Sequence, residues 1–567
     1  MASIVGKTFG GHTYYYLREM ARVAGKPKMV SERYLGKAVD IEAAMAGATV
    51  EPERTRHLAF GDLAAVWGML ERLDVAGIVD EVVGPRRGDA AASVGTYLAL
   101  ATANRVVDPC SKLVFADWWA TTAGDRWVRL PAAALDHRRF WDAMDAISDN
   151  HLREIERRIT ARVVETFGID LSGLVLDMTN FATYIASAND RAPIAQRGHA
   201  KQKRTDLRLV GLGLIVSTDG GIPLLSHTYA GDRPDVTQFG AMVTELVARW
   251  ETMAVEEDDL TLVYEAGQDS VANQALIEGT ALHFVGSLPP SDFPELLAAP
   301  ASRFGPVGDP YPGVTAFEAR VHALGAERRV VVTHSPTLHT KQAAGFTQTL
   351  TKTGQRLTEL ADRLARGKTR RGRTTVEADI AHILAPRWVS RVITTTLTGD
   401  SPPTLRLTWT IDTKARHGLE TEQFGKRILF TDHEDWNHAR IVAGYRSQSE
   451  VEADFRQMKD PAIVGFSPMF HWTDQKIRVH AFYCVLALTI ARLMRRQAAH
   501  AGHPMSVQEL LATLAGIQET VLLYPSTGGR PRARRMTTEM TTTQTHLHNL
   551  FNLATYAPRP GPTTPLR

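Results

Sequence analysis

Residues 205–231, TDLRLVGLGLIVSTDGGIPLLSHTYAG, hold the sequence pattern that decides the fold. Two apolar runs flank Asp219-Gly220-Gly221, so the segment predicts two antiparallel strands joined by a tight turn. A shorter apolar run, LSGLVLDM, precedes them at 171–178. Three strands therefore follow one another before any helix, as in an antiparallel sheet.

The next segments alternate between helix and strand. Residues 235–253 have the apolar spacing of an amphipathic helix, and LTLVYEAG at 260–267 is typical of a strand. A second helix is predicted at 270–279, followed by the strand LHFVGSL at 282–288. A strand–helix–strand unit added to three antiparallel strands predicts an α/β fold, with helices packed on a mixed sheet.

The N-terminal region of the chain has a different pattern of apolar and polar residues. Residues 12–36 contain two apolar-aromatic runs around a Gly-Lys-Pro-Lys turn, which predicts a β-hairpin with Lys26 and Lys28 at its tip. From about residue 51 to 166, apolar residues recur at spacings of three and four. This pattern predicts an α-rich N-terminal domain.

A long interruption separates the first five core strands from the rest of the core. Residues 289–421 hold a Pro-rich loop and a helical stretch at 348–374, and strands are predicted in ERRVVVTHS, PRWVSRVITTTL and TLRLTWTID. The core resumes with KRILFTDH at 426–433 and ends in a long helix from about 473 to 499. The tail from Ala557 has a composition typical of disorder.

These patterns divide the chain into six predicted regions. They are an N-terminal hairpin region with possible DNA contacts at 1–50, the α-rich domain at 51–168, a first core segment at 169–288, an α+β insertion at 289–425, a second core segment at 426–500, and a C-terminal region at 501–567. With 567 residues, the chain is too long for one ordinary core.

Composition excludes several classes of protein. Two cysteines, Cys110 and Cys484, cannot make a disulfide framework or a four-cysteine zinc site. The N-terminus lacks the apolar core of a signal peptide, and the apolar run at 482–494 is shorter than the ~20 residues of a spanning helix. We therefore expect a cytoplasmic protein with no membrane contact. The net charge of +3 does not by itself indicate a nucleic-acid partner.

Three acidic residues lie where a two-metal nuclease needs them. Asp177 and Glu265 follow short apolar runs of two predicted strands, and Glu452 lies in a predicted helix. Tyr445, Gln448 and Lys459 share one face of that helix with Glu452. Carboxylate oxygens suit Mg²⁺, and two such ions about 4 Å apart can activate one oxygen and stabilise the other in phosphodiester displacement.

The set Tyr445, Gln448, Glu452 and Lys459 resembles the Y-x-x-R-x-x-x-E-x-x-x-x-x-x-K signature of bacterial insertion-sequence transposases with a DDE site. The text around it, from 424 to 488, resembles one branch of that group. LVLDMTNFATYI resembles the family's first-Asp block, and the stretch at 260–289 resembles the second. The likeness covers nearly the whole chain and is weakest in the N-terminal region.

The resemblance implies an RNase H-like core with an insertion between the second and third acids. It implies strand cleavage and strand transfer at inverted-repeat ends of an insertion sequence, with Mg²⁺ or Mn²⁺, on double-stranded DNA and as a homodimer on paired ends. Asp177, Glu265 and Glu452 become catalytic metal ligands. Tyr445 and Lys459 become contacts to DNA phosphate.

Two departures from the signature bear on activity. Glu265 stands where the family has Asp, which moves the carboxylate outward by about 1.5 Å. Gln448 stands where the family has Arg, and it lacks the charge of a guanidinium. Arg446 points about 200° around a continuous helix from Gln448, so it is a poor substitute. Asp269 is expected to start the next helix.

Several alternatives remain open at this stage. Tyr445 and Lys459 can simply flank the apolar stripe of their helix, and His471 and His480 have no Cys or acid to complete a zinc set. A transposase-derived DNA-binding protein with impaired or no catalysis is the alternative to the enzyme, and a stand-alone RNase H-like nuclease is a third interpretation. The predicted phosphate contacts are Arg363, Arg366, Lys368, Arg370, Arg371 and Arg373, then Arg530, Arg532, Arg534 and Arg535.

Overall fold

A computed structural model describes residues 2–23, 26–45, 51–85, 90–198, 206–253, 260–367, 370–525, 532–559 and 564–565. The chain divides into two compact units. The terminal unit comprises Met1–Ala64, Trp119–Val128 and Thr513–Arg567, and the core unit comprises Ala65–Trp118 and Arg129–Ala512.

The described strands form four sheets. In chain order the strands are β1 Ala2–Phe9, β2 His12–Val23, β3 Lys26–Gly36, β4 Arg54–Ala59, β5 Gly173–Thr183, β6 Arg208–Ser217, β7 Pro223–Ala230, β8 Thr261–Val263, β9 His283–Leu288, β10 Gly305–Pro306, β11 Thr315–Ala323, β12 Ala326–His334, β13 Ile393–Thr398, β14 Arg406–Ile411, β15 Lys426–Thr431, β16 Gln518–Tyr524, β17 Arg532–Thr537 and β18 Thr564–Pro565. The largest sheet has nine strands in the order β10-β11-β12-β15-β9-β8-β5-β6-β7.

Most of the described helices belong to the core unit and pack around this sheet, whereas the helices at 38–45 and 542–550 belong to the terminal unit. In chain order they are α1 Ala38–Met45, α2 Gly61–Arg72, α3 Val75–Val83, α4 Val94–Val107, α5 Phe115–Ala120, α6 His137–Asp145, α7 Asp149–Phe167, α8 Asp235–Met253, α9 Val271–Glu278, α10 Pro294–Leu297, α11 Pro336–Ala365, α12 Arg373–Leu384, α13 Thr413–Gln423, α14 His438–Arg446, α15 Gln448–Lys459, α16 Asp474–His500, α17 Val507–Ala515 and α18 Thr542–Leu550.

The predicted mixed sheet is confirmed in five neighbouring strands, β5 to β9, which occupy one side of the nine-stranded sheet and end at the edge strand β7. β5, β6 and β7 pair antiparallel in sequence order, and β8 pairs in parallel with both β5 and β9. Nearly every residue of β6 is buried, because helices cover both faces of the sheet. A side chain at Gly213 would collide with Met242 of α8, so Met178, the residue opposite Gly213 in β5, faces α8.

The predicted insertion at 289–425 is not a separate body throughout. Its strands β11 and β12 join the large sheet, because β12 pairs with β15 and β15 pairs with β9. The remainder, from α11 to α13, encloses an apolar core of its own with the β13–β14 hairpin. Buried members of that core include Phe346, Leu357, Val376, Leu405 and Phe424.

The terminal unit joins two ends of the chain that the sequence divides into separate regions. β4 pairs antiparallel with β16, so Arg56 lies opposite Val521. The predicted hairpin at 12–36 is present as β2 and β3, and β1 adds a third strand in front of it. Gly25 of its turn and most of the tail predicted to be disordered lie outside the described residues, although Thr564–Pro565 pairs with β17.

Helix α16 is the most apolar long element of the core unit. It has 27 residues, and one 18-residue window has a mean hydropathy of 1.5, which would suffice for a membrane span by length and composition. In this fold, however, 94% of that window is buried inside the protein. The helix therefore serves as a core helix, as the sequence predicts for 482–494.

Candidate functional site

Asp177 and Glu265 lie on neighbouring parallel strands. The register pairs Val175 of β5 with Val263 of β8, and each acid lies two residues further along its strand direction. Glu265 follows the last residue of β8 but keeps an extended backbone, with φ −97° and ψ 161°. Since side chains alternate along a strand, both acids point to the same face of the sheet. Asp177 lies in mid-strand, because β5 continues to Thr183.

The third acid approaches from helix α15, which packs on the face of β5 that carries Asp177. Lys459 Nζ donates to Thr179 Oγ1 at 2.6 Å, and Thr179 is two residues beyond Asp177 on the same face. Glu452 is exposed on α15 and lines a groove together with Glu265. The structure thus brings Glu265 and Glu452 to one groove. Asp177 is on the adjoining strand and is not among the residues that line it.

The three carboxylates do not all meet at one point. Across the described residues of the chain, they do not form a set with all ligand atoms within 4.8 Å of one another. A site for two ions about 4 Å apart does not require that, because each ion takes only some of the ligands. The carboxylate oxygens are hard donors of the kind that Mg²⁺ binds. The arrangement of the described side chains therefore does not place all three acids around a single ion.

The predicted continuous helix from Tyr445 to Lys459 is wrong in one respect. Tyr445 lies in α14, the other three signature residues lie in α15, and Ser447 separates the two helices. Ser447 keeps helical backbone angles, but its hydroxyl bonds to the Gly444 carbonyl at 2.5 Å. The sequence also predicts that Arg446 points away from Gln448 and cannot substitute for an arginine there, and the structure does not bear this out. Both residues line the groove.

Tyr445 is buried at the floor of the groove, and its hydroxyl is already bonded within the protein. Arg427 Nη1 donates to the Tyr445 hydroxyl at 2.8 Å, and the hydroxyl donates to Ser287 Oγ at 3.1 Å. Ser287 Oγ in turn accepts from the Ala266 amide, next to Glu265. Burial raises the pKa of Tyr445, and the nearby Arg427 guanidinium opposes that effect. The tyrosine therefore positions Arg427 and the end of β8.

Gln448 is the most unusual polar residue of the groove. Gln448 is only 4% exposed. Neither its side-chain Nε2 nor its Oε1 has a hydrogen-bond partner within the described structure. A buried amide without partners costs about 1–3 kcal/mol. The Gln448 amide therefore has a hydrogen-bond donor and acceptor that no described residue uses.

Two arginines supply positive charge to the groove. Arg427 is exposed on β15, and Arg446 stacks over the Tyr311 ring at 4.3 Å from its centroid. Arg427 is not among the site residues that the sequence predicts, although it lines the groove. In the strand KRILFT, two cationic residues precede four buried ones, and this pattern is visible in the sequence. The pattern does not indicate which surface groove the two cationic residues face.

Lys459 does not line the groove. Its ammonium group bonds to Thr179 and lies 5.6 Å from the Phe181 ring centroid, so it ties α15 to β5. The opposite face of α15 is tied to α16, because Arg492 binds the buried Asp454 and also reaches Glu450 Oε2 at 3.3 Å. These contacts fix the helix that carries Glu452.

Asp269 lies outside the groove and does not start the next helix. Ser270 is the N-cap of α9, with its hydroxyl accepting from the Asn273 amide, and Asp269 precedes it. Both Asp269 oxygens are buried without a described hydrogen-bond partner. Burial, with a smaller effect of the Asp292 charge, raises the pKa of Asp269 to about 7.

The predicted basic clusters are partly used for internal contacts. Arg371 pairs with Asp379, and Arg373 pairs with Glu377 and bonds to the Gly399 carbonyl. Arg370 is exposed beside them. In the C-terminal cluster, Arg535 pairs with Glu519 at 2.5 Å in the terminal unit. Lys368 and Arg530 lie outside the described residues.

His471 and His480, for which the sequence offers no complete zinc set, pack against each other, with His480 buried and His471 half-buried. His480 is fully buried, and its ring nitrogens bond to the Phe466 carbonyl at 2.8 Å and the Tyr483 hydroxyl at 2.6 Å. The His471 ring lies 5.1 Å from it, and burial lowers the pKa of His471 to about 3.

Comparisons with known proteins find a distant structural likeness and no match by sequence. No family model matches the chain, and no curated protein matches it. Among solved structures, the chain is similar to one in a cryo-EM structure of a piggyBac transposase synaptic complex with hairpin DNA. The identity is 9%, each chain is covered over 82% of its length, and the TM-score is 0.38. A likeness at this level assigns neither a family nor an activity.

Proposed function

We propose that this chain is a DDE transposase with an RNase H-like core, formed by strands β5 to β9 and the helices on them. The observation that carries the proposal is the groove in which Glu265 and Glu452 face Arg427, Arg446 and the unpartnered Gln448, with Asp177 on the adjoining strand. Acids and cations in one groove suit a phosphodiester with divalent metal.

Each residue of the groove has a role in the proposed reaction. Asp177, Glu265 and Glu452 would hold two divalent ions, Mg²⁺ or Mn²⁺. When bound, such ions activate a water or a 3′-hydroxyl and stabilise the leaving oxygen. Arg427, Arg446 and Gln448 would bind the non-bridging phosphate oxygens and fix the scissile bond, and Tyr445 would orient Arg427 through its hydroxyl.

The proposed substrate is double-stranded DNA at the inverted-repeat ends of an insertion sequence. A chain that cuts with a single such groove would work as a homodimer on paired ends. The exposed Arg370 and the N-terminal Lys26 and Lys28 would add contacts to phosphate, which give affinity without reading base sequence.

A strand-nicking assay on duplexes that carry the DNA flanking the coding region tests this function. With Mg²⁺ or Mn²⁺, we expect nicks at one position of each inverted repeat and none on scrambled duplexes. Cleavage insensitive to end sequence would indicate a general nuclease instead.

A DNA-binding protein derived from a transposase is the second candidate, and Glu265 is the observation that favours it. Its longer side chain places the carboxylate about 1.5 Å from where an Asp would hold it. End binding with no nicking in either metal would favour this candidate. Restoration of nicking by Glu265→Asp would then identify an impaired enzyme, and its absence would identify a binding role.

The groove predicts that Arg427 supplies the charge that Gln448 lacks. A plot of log affinity for end DNA against log salt concentration has a negative slope. Arg427→Gln is expected to make this slope less steep by about 0.9, which is the effect of one lost phosphate contact. Gln448→Arg in the same chain is expected to restore the slope, because both side chains line one groove. The measurement is a salt titration of end binding.

Arg320→Gln is the matched control for this experiment. Arg320 is an exposed arginine of β11 that pairs with Glu434 and is not among the residues lining the groove. It is expected to leave the slope unchanged. An Arg427→Gln variant with the wild-type slope would show that Arg427 does not contact phosphate.

A further inference from the structure

A second cluster of potential metal ligands lies at the other end of the same strands. Across the described residues, His283, Asp432 and His433 each offer one ligand atom within 4.8 Å of the others. His283 begins β9, and Asp432 follows the last residue of β15. Glu265 follows the carboxyl end of β8, whereas this cluster lies at its amino end, beside Thr261. Four residues of strand separate the two places by about 13 Å.

The hydrogen bonds in this cluster leave ligand atoms available. His433 Nε2 pairs with Thr261 Oγ1 at 2.9 Å, and when the ring donates this bond its Nδ1 carries a lone pair. His283 Nδ1, when it carries the ring proton, donates to Asp432 Oδ2 at 2.9 Å. The other oxygen, Asp432 Oδ1, accepts from the Phe284 amide at 3.0 Å, which holds the carboxylate in place. A metal ion bound at His283 Nδ1 would release the ring proton to solvent, and the bonds to Thr261 and to the Phe284 amide would remain.

The backbone around the cluster is held firmly. Thr431 Oγ1 donates to the Phe284 carbonyl at 2.6 Å and accepts from the His433 amide at 3.1 Å. Arg329 bonds to the carbonyls of both His433 and Trp436. His433 packs flat between the His283 ring and the Trp436 ring. Ligands on a fixed framework lose little entropy when an ion binds.

We propose that His283, Asp432 and His433 form a binding site for a divalent transition-metal ion of the zinc type, separate from the carboxylate groove. Two imidazoles and one carboxylate suit Zn²⁺, Co²⁺ or Ni²⁺ rather than Mg²⁺. Metal–ligand bonds of about 2 Å require the ligand atoms to move closer together and the His283 ring to tilt out of its stack on His433, because each imidazole lone pair lies in its ring plane. The His283 side chain is 37% exposed and can make that movement. A water, or Asp435 at 4.0 Å from His433 Nδ1, can take the fourth place.

The ion would link segments that are far apart in sequence. It would join β9 to the loop 432–437, which leads from β15 into α14, the helix that holds Tyr445. The proposal concerns binding and does not depend on the proposed function of the groove.

Titration of the whole chain with Co²⁺, followed by visible absorption, tests the site. We expect bands of imidazole-bound Co²⁺ that saturate at one ion and are displaced by Zn²⁺. His283→Ala and the isosteric Asp432→Asn are each expected to weaken Co²⁺ binding at least about 10-fold. Far-ultraviolet circular dichroism confirms that each variant is folded.

Two controls separate this site from others in the chain. His322→Ala removes an exposed histidine of β11, and Glu265→Gln with Glu452→Gln removes two acids of the groove. Both are expected to leave the Co²⁺ bands unchanged. The proposal is overturned if the wild-type chain gives no such bands, if His283→Ala binds Co²⁺ as the wild type does, or if the bands disappear in the groove variant.

Discussion

Glu452→Gln is expected to lower metal-dependent nicking of end DNA at least about 100-fold. The amide keeps the shape of the side chain but loses the negative charge, and a hard cation binds a neutral amide oxygen far more weakly than a carboxylate. Glu452 is exposed on α15, so the substitution leaves the packing of the helix intact. End binding without metal is therefore expected to stay at the wild-type level, and the loss should appear in the rate of nicking alone.

A matched control removes the same charge elsewhere. Glu359 is an exposed glutamate of helix α11 and does not line the groove. Glu359→Gln is expected to nick at the wild-type rate. If Glu452→Gln also nicked at that rate, Glu452 would not be a metal ligand, and the proposed catalytic role of the groove would fail.

Local sequence patterns predict the elements that pair with near neighbours. The strands around Asp219-Gly220-Gly221 form the β6–β7 hairpin, and the helix predicted at 235–253 has those bounds in the structure. These elements depend on turn residues and apolar periodicity, which a single sequence displays directly. The adjacency of Asp177 and Glu265 follows from the parallel pairing of β5 with β8.

Pairings between distant segments are not visible in the sequence. β12 and β15 extend the large sheet across the whole α11–α13 segment, and β4 pairs with β16 far along the chain. Neither pairing leaves a local signal, because strand patterns specify a buried face but not a partner. The same reason hides Arg427, whose place in the groove depends on the pairing of β15 with β9.

The division at Ser447 is hidden for a different reason. Apolar residues keep a helical spacing from Ile441 through Met458, so periodicity predicts one helix. The break changes which side chains share a surface and brings Arg446 and Gln448 to the same groove. A serine with a local side-chain-to-backbone bond is a weak signal that a sequence does not distinguish from an ordinary helical serine.

The second large effect is expected at the support of α15. Arg492→Met is expected to destabilise the packing of α15 on α16 by about 3–5 kcal/mol, because it leaves the fully buried Asp454 without its charged partner. Hydrogen–deuterium exchange of residues 448–459 measures the loss locally. Arg495→Met is the matched control. Its side chain is 35% exposed and lies 3.8 Å from Glu450, so its loss should cost under about 1 kcal/mol.

The destabilisation caused by Arg492→Met is expected to change with pH, whereas the effect of a simple packing defect would not. Burial raises the pKa of Asp454 to about 7, although Arg492 favours the ionised form. An acid whose folded-state pKa is raised contributes stability that is present below its unfolded pKa and is lost as pH rises through the folded value. Without Arg492 the pKa rises further, so the gap between variant and wild type should widen by about 1 kcal/mol from pH 6 to pH 8. A gap that stayed constant over this range would show that the guanidinium acts by packing alone, and a gap no larger than that of Arg495→Met would show that Arg492 does not hold the Glu452 helix in place.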